Sequence, residues 1–154
     1  SGIITRFERL GMPVWKLAAA FVAVMIMLVG CGRDDPEAAL LAAVESLQES
    51  IENKDTSELM DLIHDEFSAN RELDRDWARR TAALMFLRHR NVGVIALNSR
   101  SWLDPTYPDK GYSEAQVALT GAEGWLPQRL GHYDVRLEWW LTDGDWKLAR
   151  LDWE

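Results

Sequence analysis

The hydrophobic period of the chain changes once. Up to Gly93 apolar residues recur every three or four positions, and from Val94 onward they recur every second position. A 154-residue chain with one such switch reads as a single α+β domain, helices first and antiparallel strands last. Asp35-Pro36-Glu37 supplies an N-cap, a proline at the first helical position and an early acid, and Leu40, Val44, Leu47 and Ile51 follow at helical spacing. This first helix is expected to end near Asn53. Asp55 or Thr56 then caps a second predicted helix with the stripe Leu59, Leu62, Ile63 and Phe67, and a third begins at Asp74 or Asp76 and ends at Asn91-Val92-Gly93.

Four strands are predicted after the switch: Val94 to Trp102, Ala115 to Leu119, Tyr133 to Leu141 and Trp146 to Trp153. Between the last two, Asp143-Gly144 accepts the positive φ values of a two-residue hairpin whose twist matches its strands. With that loop, Leu141 is expected opposite Trp146, Trp139 opposite Leu148, Leu137 opposite Arg150 and Val135 opposite Asp152, all on one face. The other face would carry Trp140, Leu151 and Trp153.

The chain holds 17 Lys and Arg against 25 Asp and Glu, a net charge of −8. Capture of nucleic acid needs clustered cations, so DNA and RNA are not expected partners. One cysteine closes no internal disulfide, and the three histidines show no i, i+4 pair or cysteine partner. No metal site is expected, and the domain folds by packing.

That cysteine stands at the end of the most biased segment. Leu17 to Val29 is uncharged, follows Arg6, Arg9 and Lys16, and leads directly into Gly30 and Cys31. Thirteen helical residues rise about 20 Å against a hydrocarbon core of about 30 Å, which suits a signal peptide better than a permanent span. Leu28-Val29-Gly30-Cys31 resembles the bacterial lipobox, in which the cysteine receives a diacylglyceryl group and becomes the first mature residue. The resemblance implies a signal peptide over 1–30, a lipidated Cys31 with a short linker over 31–35, and a domain over 36–154. The first eleven residues, ahead of Met12, read as an extended n-region or an alternative start and are left out of the fold. Gly32 after the cysteine implies an outer-membrane lipoprotein facing the periplasm, although Asp34 and Asp35 lie close by. Loss of residues 1–30 removes three basic groups and one acidic group, leaving 14 against 24. Anchoring then depends on the acyl chains, two or more of which hold a protein stably.

Three helices followed by a strand meander that closes on Asp143-Gly144-Asp145-Trp146-Lys147-Leu148 resemble the nuclear transport factor 2-like superfamily, which includes SnoaL-like cyclases and ketosteroid isomerases. The resemblance covers about residues 36–154. It implies a curved antiparallel sheet wrapped into a cone around helices, a homodimer through the outer sheet face, and no cofactor. Many activities occupy this fold, so none transfers with it. The ketosteroid isomerases take a tyrosine from the first helix, whereas no tyrosine here precedes Tyr107.

In such a cone Trp139, Trp146 and Leu148 would line an apolar interior with Arg150 and Asp152 at one end, a candidate pocket for a small apolar ligand; the same two residues would also serve as a solvated ion pair at the sheet margin. Trp140, Leu151 and Trp153 would form the interface patch. Asp61, His64 and Asp65 would share a helix face, an arrangement that suits a general base but is common on solvated helices, and no catalytic residue is assigned. Trp102, Tyr107, Tyr112 and Trp125 lie in or beside two long connections, Leu103 to Tyr112 and Gly121 to Gly131, where recognition residues concentrate. The reading is a lipid-anchored envelope lipoprotein whose domain binds a small ligand or an envelope protein. The alternative is a cofactor-independent lyase, isomerase or hydrolase acting on a small apolar substrate.

Overall fold

The computed structural model describes residues 35–121 and 133–154. Helix α1 spans Pro36–Glu52, α2 Thr56–Asp61 and α3 Arg75–Arg88; the strands are β1 Ile63–Ala69, β2 Leu73–Asp74, β3 Val92–Leu103, β4 Lys110–Gly121, β5 Tyr133–Thr142 and β6 Asp145–Trp153. They form one sheet in the order β2-β1-β6-β5-β4-β3. Among the described residues the architecture is the expected curved α+β sheet with three helices, but it has six strands rather than about four, and β1 pairs with β6 in parallel.

Local chemistry starts the helices as the sequence predicts. The Asp55 carboxylate accepts the Glu58 N–H at 3.0 Å and the Asp74 carboxylate accepts the Trp77 N–H at 2.9 Å, each satisfying one of the first-turn donors that a helix cannot pair internally. Helix α2 is shorter than its stripe suggests. It stops at Asp61, and Ile63 to Ala69 runs instead as a strand parallel to β6. The Leu148 N–H donates to the Leu62 carbonyl at 2.7 Å, and Ile63 pairs with Leu148. A four-residue apolar spacing such as Ile63 and Phe67 fits a helix, but here both side chains are buried from a strand, because pairing with β6 outweighs the local period.

Asp143 at φ 53° and Gly144 at φ 85° form the expected hairpin turn, and Leu141 pairs with Trp146 and Trp139 with Leu148 as predicted. The register then shifts by one. Glu138 pairs with Arg150, Leu137 with Leu151, Arg136 with Asp152 and Val135 with Trp153. Ala149, fully buried, is the additional residue on β6, so β6 bulges and every later side chain changes face. A second bulge interrupts β3 between Leu97 and Arg100, with Asn98 at φ 52°.

The core joins Leu40 of α1, Leu59 and Met60 of α2, Ile63 and Phe67 of β1, Phe86 of α3, and Trp139, Trp146 and Leu148 of the last hairpin. The sheet therefore has an inner face against the helices and an outer face.

Candidate functional site

The inner face is filled at its centre. Trp139 and Leu40 are fully buried, and Leu40 presses so closely on β4 that a Cβ added at Gly111 would lie 2.9 Å from its Cδ2. Glycine there lets α1 approach the strand backbone. The Trp139 indole N–H donates to Ser113 Oγ at 3.1 Å, and Ser113 Oγ lies 2.8 Å from Ser101 Oγ. This chain links β5, β4 and β3 and satisfies the polar atom that a buried tryptophan brings into a core. Among the described residues the buried polar side chains are Ser50, His89 and Ser113, a set containing one titratable group.

Of the five expected pocket residues, Trp139, Trp146 and Leu148 do meet on the inner face. Arg150 and Asp152 do not join them, because the Ala149 bulge turns both to the outer face. There the Arg150 guanidinium lies 4.7 Å from the Trp140 ring and donates to the Glu66 carbonyl at 2.8 Å, while the exposed Asp152 pairs in register with Arg136. The expected interface patch divides by the same mechanism. Trp140 is on the outer face, but Leu151 and Trp153 pack against the core, where Trp153 stacks on Trp77 of α3 at 5.9 Å and 14°.

The trio Asp61, His64 and Asp65 is also redistributed, since His64 lies on β1 and not on a helix. Its Nδ1 accepts the Glu66 N–H at 2.9 Å, and its ring meets the edge of Trp140 at 4.9 Å. Nδ1 is thus occupied by backbone, and the Asp61 carbonyl accepts from Lys147 Nζ. Cys31 and the signal-like segment lie outside the described residues, as do Trp125 and most of the 121–131 connection. Among the described residues no helix is long and apolar enough to cross a membrane, and no group of three or more His, Cys, Asp or Glu converges as a metal site.

The outer face alternates cations with aromatic rings. Arg100 lies 4.8 Å over Trp102, which tilts against Tyr112 at 5.7 Å, and Arg136 covers Tyr112 at 5.6 Å. Lys110 is 5.4 Å from the Tyr107 ring and 5.9 Å from Trp140. Trp102 lies on β3 as expected, whereas Tyr112 belongs to β4 and not to the connection, which shortens to residues 104–109. Beyond the rings an open groove of about 360 Å³ crosses the strands, lined on one side by Glu114, Arg136 and Asp152 and on the other by Gln116, Asp134 and Glu154. Inward-pointing Ala115, Val135 and Trp153 occupy the register row between them. Glu114 binds Arg100 at 2.7 Å, and Gln116 accepts from Asn98 at 3.1 Å. Sequence reasoning missed this groove. Its signal was the polar alternation of Glu114-Ala115-Gln116 and Asp134-Val135-Arg136, but which polar residues of β4, β5 and β6 meet depends on the bulge.

Tyr112 and Asp104 form the most perturbed titrating pair. The Tyr112 hydroxyl donates to Asp104 Oδ2 at 2.7 Å, while Asp104 Oδ1 accepts the N–H groups of Thr106 and Tyr107. The carboxylate beside it, with partial desolvation, pushes the Tyr112 hydroxyl up to about 12, and the tyrosine and backbone donors hold Asp104 below its ordinary value. Tyr112 keeps its proton in the folded state after an unfolded chain would have lost it. Its contribution is complete below about pH 10 and is lost as pH rises toward 12; that of Asp104 is present above pH 4 and fades in acid. Tyrosinate absorbance should show a transition near pH 12 that is absent in Tyr112→Phe and moves down toward 10 in Asp104→Asn.

No protein-family model and no curated protein matches the sequence. Solved structures do match the fold. A protein of Bdellovibrio bacteriovorus, Bd1075, superposes with a TM-score of 0.62 at 12% identity over 74% of this chain, which spans only 38% of that one. A nuclear transport factor 2-like protein of Cytophaga hutchinsonii gives 0.58 at 16% identity over 74% of this chain and 93% of its own. The chain has the nuclear transport factor 2-like fold. A hexachlorocyclohexane dehydrochlorinase of Novosphingobium barchaimii, LinA-type3, shares it with a TM-score of 0.57 at 16% identity over 76% and 84%, so the scaffold hosts enzymes as well as proteins of other kinds.

Proposed function

We propose that this chain is a bacterial envelope lipoprotein, anchored through acyl chains on Cys31, whose nuclear transport factor 2-like domain is a binding or assembly module. The observation that carries the module reading is the fully buried Trp139. Its indole occupies the centre of the inner face, where an enzyme of this fold would need space and paired ionisable groups, so the open binding surface is the outer face. The indole and phenol rings there, interleaved with Arg100, Lys110 and Arg136, have the composition of protein interfaces. A second copy or an envelope protein is the partner this surface fits.

Static light scattering on the soluble domain tests the first occupant, with a dimer expected for the wild type and a monomer for Trp140→Glu. A wild-type monomer leaves an envelope protein as the occupant. The anchor is tested by intact mass. The membrane-extracted chain should begin at Cys31 and carry the diacylglyceryl and acyl additions, whereas Cys31→Ser should retain its leader and no lipid. An unmodified thiol on the native product overturns the anchor.

A further inference from the structure

The fold sets which end of the domain the anchor holds. Helix α1 begins beside the start of β4, where Leu40 packs on Gly111, and Gly111 pairs with Leu103 on one side and Trp139 on the other. Farther along the helix, Gln48 Nε2 donates to the Val94 carbonyl at 3.3 Å, toward the opposite end of β3. The N-terminus of α1 therefore lies at the end of the sheet that carries the 104–109 connection and the 142–145 turn. The Leu141 N–H ties these two together by donating to the Asp109 carbonyl at 2.8 Å.

From Cys31 to Pro36 the chain spans at most about 18 Å even when fully extended. A lipid on Cys31 thus keeps this end near the bilayer, while ten-residue β5 carries the opposite end about 33 Å away. Exposed apolar side chains at the near end include Tyr107 at 57% and Leu141 at 37% exposure, with Lys110 beside the Tyr107 ring. Rings with a polar tip and lysines with an apolar stem are the side chains that settle at lipid headgroups. Asp109, Asp143 and Asp145 lie at the same end and would be repelled by an anionic leaflet, so a zwitterionic surface fits best.

Resting on the anchored reading above, we propose that the domain stands on a zwitterionic bilayer by this end, with Tyr107 and Leu141 at the headgroups and the Glu114, Asp134 and Asp152 groove turned away from the membrane. The anchor thereby presents the groove to whatever lies beyond the lipid surface.

The test uses the acylated full chain in phosphatidylcholine vesicles, its own Cys31 blocked by lipid. A second cysteine is introduced at exposed Thr106 or exposed Asp152 and carries a fluorophore, and a fraction of the lipid carries a headgroup nitroxide. For a separation of about 30 Å, quenching at Thr106→Cys should exceed that at Asp152→Cys by at least about threefold, and adding Tyr107→Ser with Leu141→Ser should reduce it. Co-flotation with equal or reversed quenching overturns the orientation and leaves the anchor standing. A chain that does not float with the vesicles overturns the anchor, and the orientation with it.

Discussion

Interchanging Arg150 with Leu151 and Asp152 with Trp153 should destabilise the domain by at least about 4 kcal/mol, or abolish folding. With the bulge at Ala149 in place, the interchange carries two large apolar side chains out of the core and two charges into it. Withdrawing two large apolar side chains costs roughly 1.5–3 kcal/mol each, and the charges that replace them would be buried apart from their present partners. Trp77 would lose its stacked neighbour as well. Deleting Ala149 should cost far less, because Leu148 and Arg150 would then follow one another in the pairs they already make with Trp139 and Glu138, and residues 150–153 would keep their faces. Urea unfolding followed by circular dichroism distinguishes the two variants. An interchange as mild as the deletion would mean that the bulge does not set the facing of the C-terminal residues.

Replacing Trp139 by Ala is expected to cost about 3–5 kcal/mol, the range for emptying an aromatic site in a core that cannot collapse. Leu40 and the β4 backbone at Gly111 are held by α1 and by strand pairing, so they cannot move in to fill the space. Trp139→Phe retains most of the burial but removes the indole donor to Ser113, leaving its bond with Ser101, and about 1–3 kcal/mol should be lost. Ser113→Ala should lose a similar amount, because it strands the buried indole N–H. Combining Ser113→Ala with Trp139→Phe should cost less than the sum of the two, since the second change removes the donor that the first left unpaired. Equilibrium unfolding of the four chains measures this coupling. Strict additivity would show that the indole and the serine do not act together.

Most of the fold was readable because its signals are local. Asp55 and Asp74 cap helices wherever they occur before a helical period, and Asp143-Gly144 turns a hairpin through its own backbone preferences. Trp139, Trp146 and Leu148 were recognisable as inward-facing because they lie within a few residues of that turn, before any irregularity intervenes. The readings failed where a distant segment decided the outcome. Ile63 to Ala69 has a pattern compatible with a helix and is a strand because β6 offers its edge. Tyr112 was read as the end of a connection, but β4 begins at Lys110 and pairs Tyr112 with Trp102 of β3.

The amino-acid sequence alone determined where the helices start, the hairpin, the acidic charge and the resemblance to a lipobox. Only the tertiary structure decided the membership of the two sheet faces. One unpaired residue at Ala149 reverses the facing of Arg150, Leu151, Asp152 and Trp153, and no composition or period announces where a strand will admit an extra residue. That choice belongs to the packing of Trp153 on Trp77 and of Leu151 in the core, which favours the bulged register over the regular one.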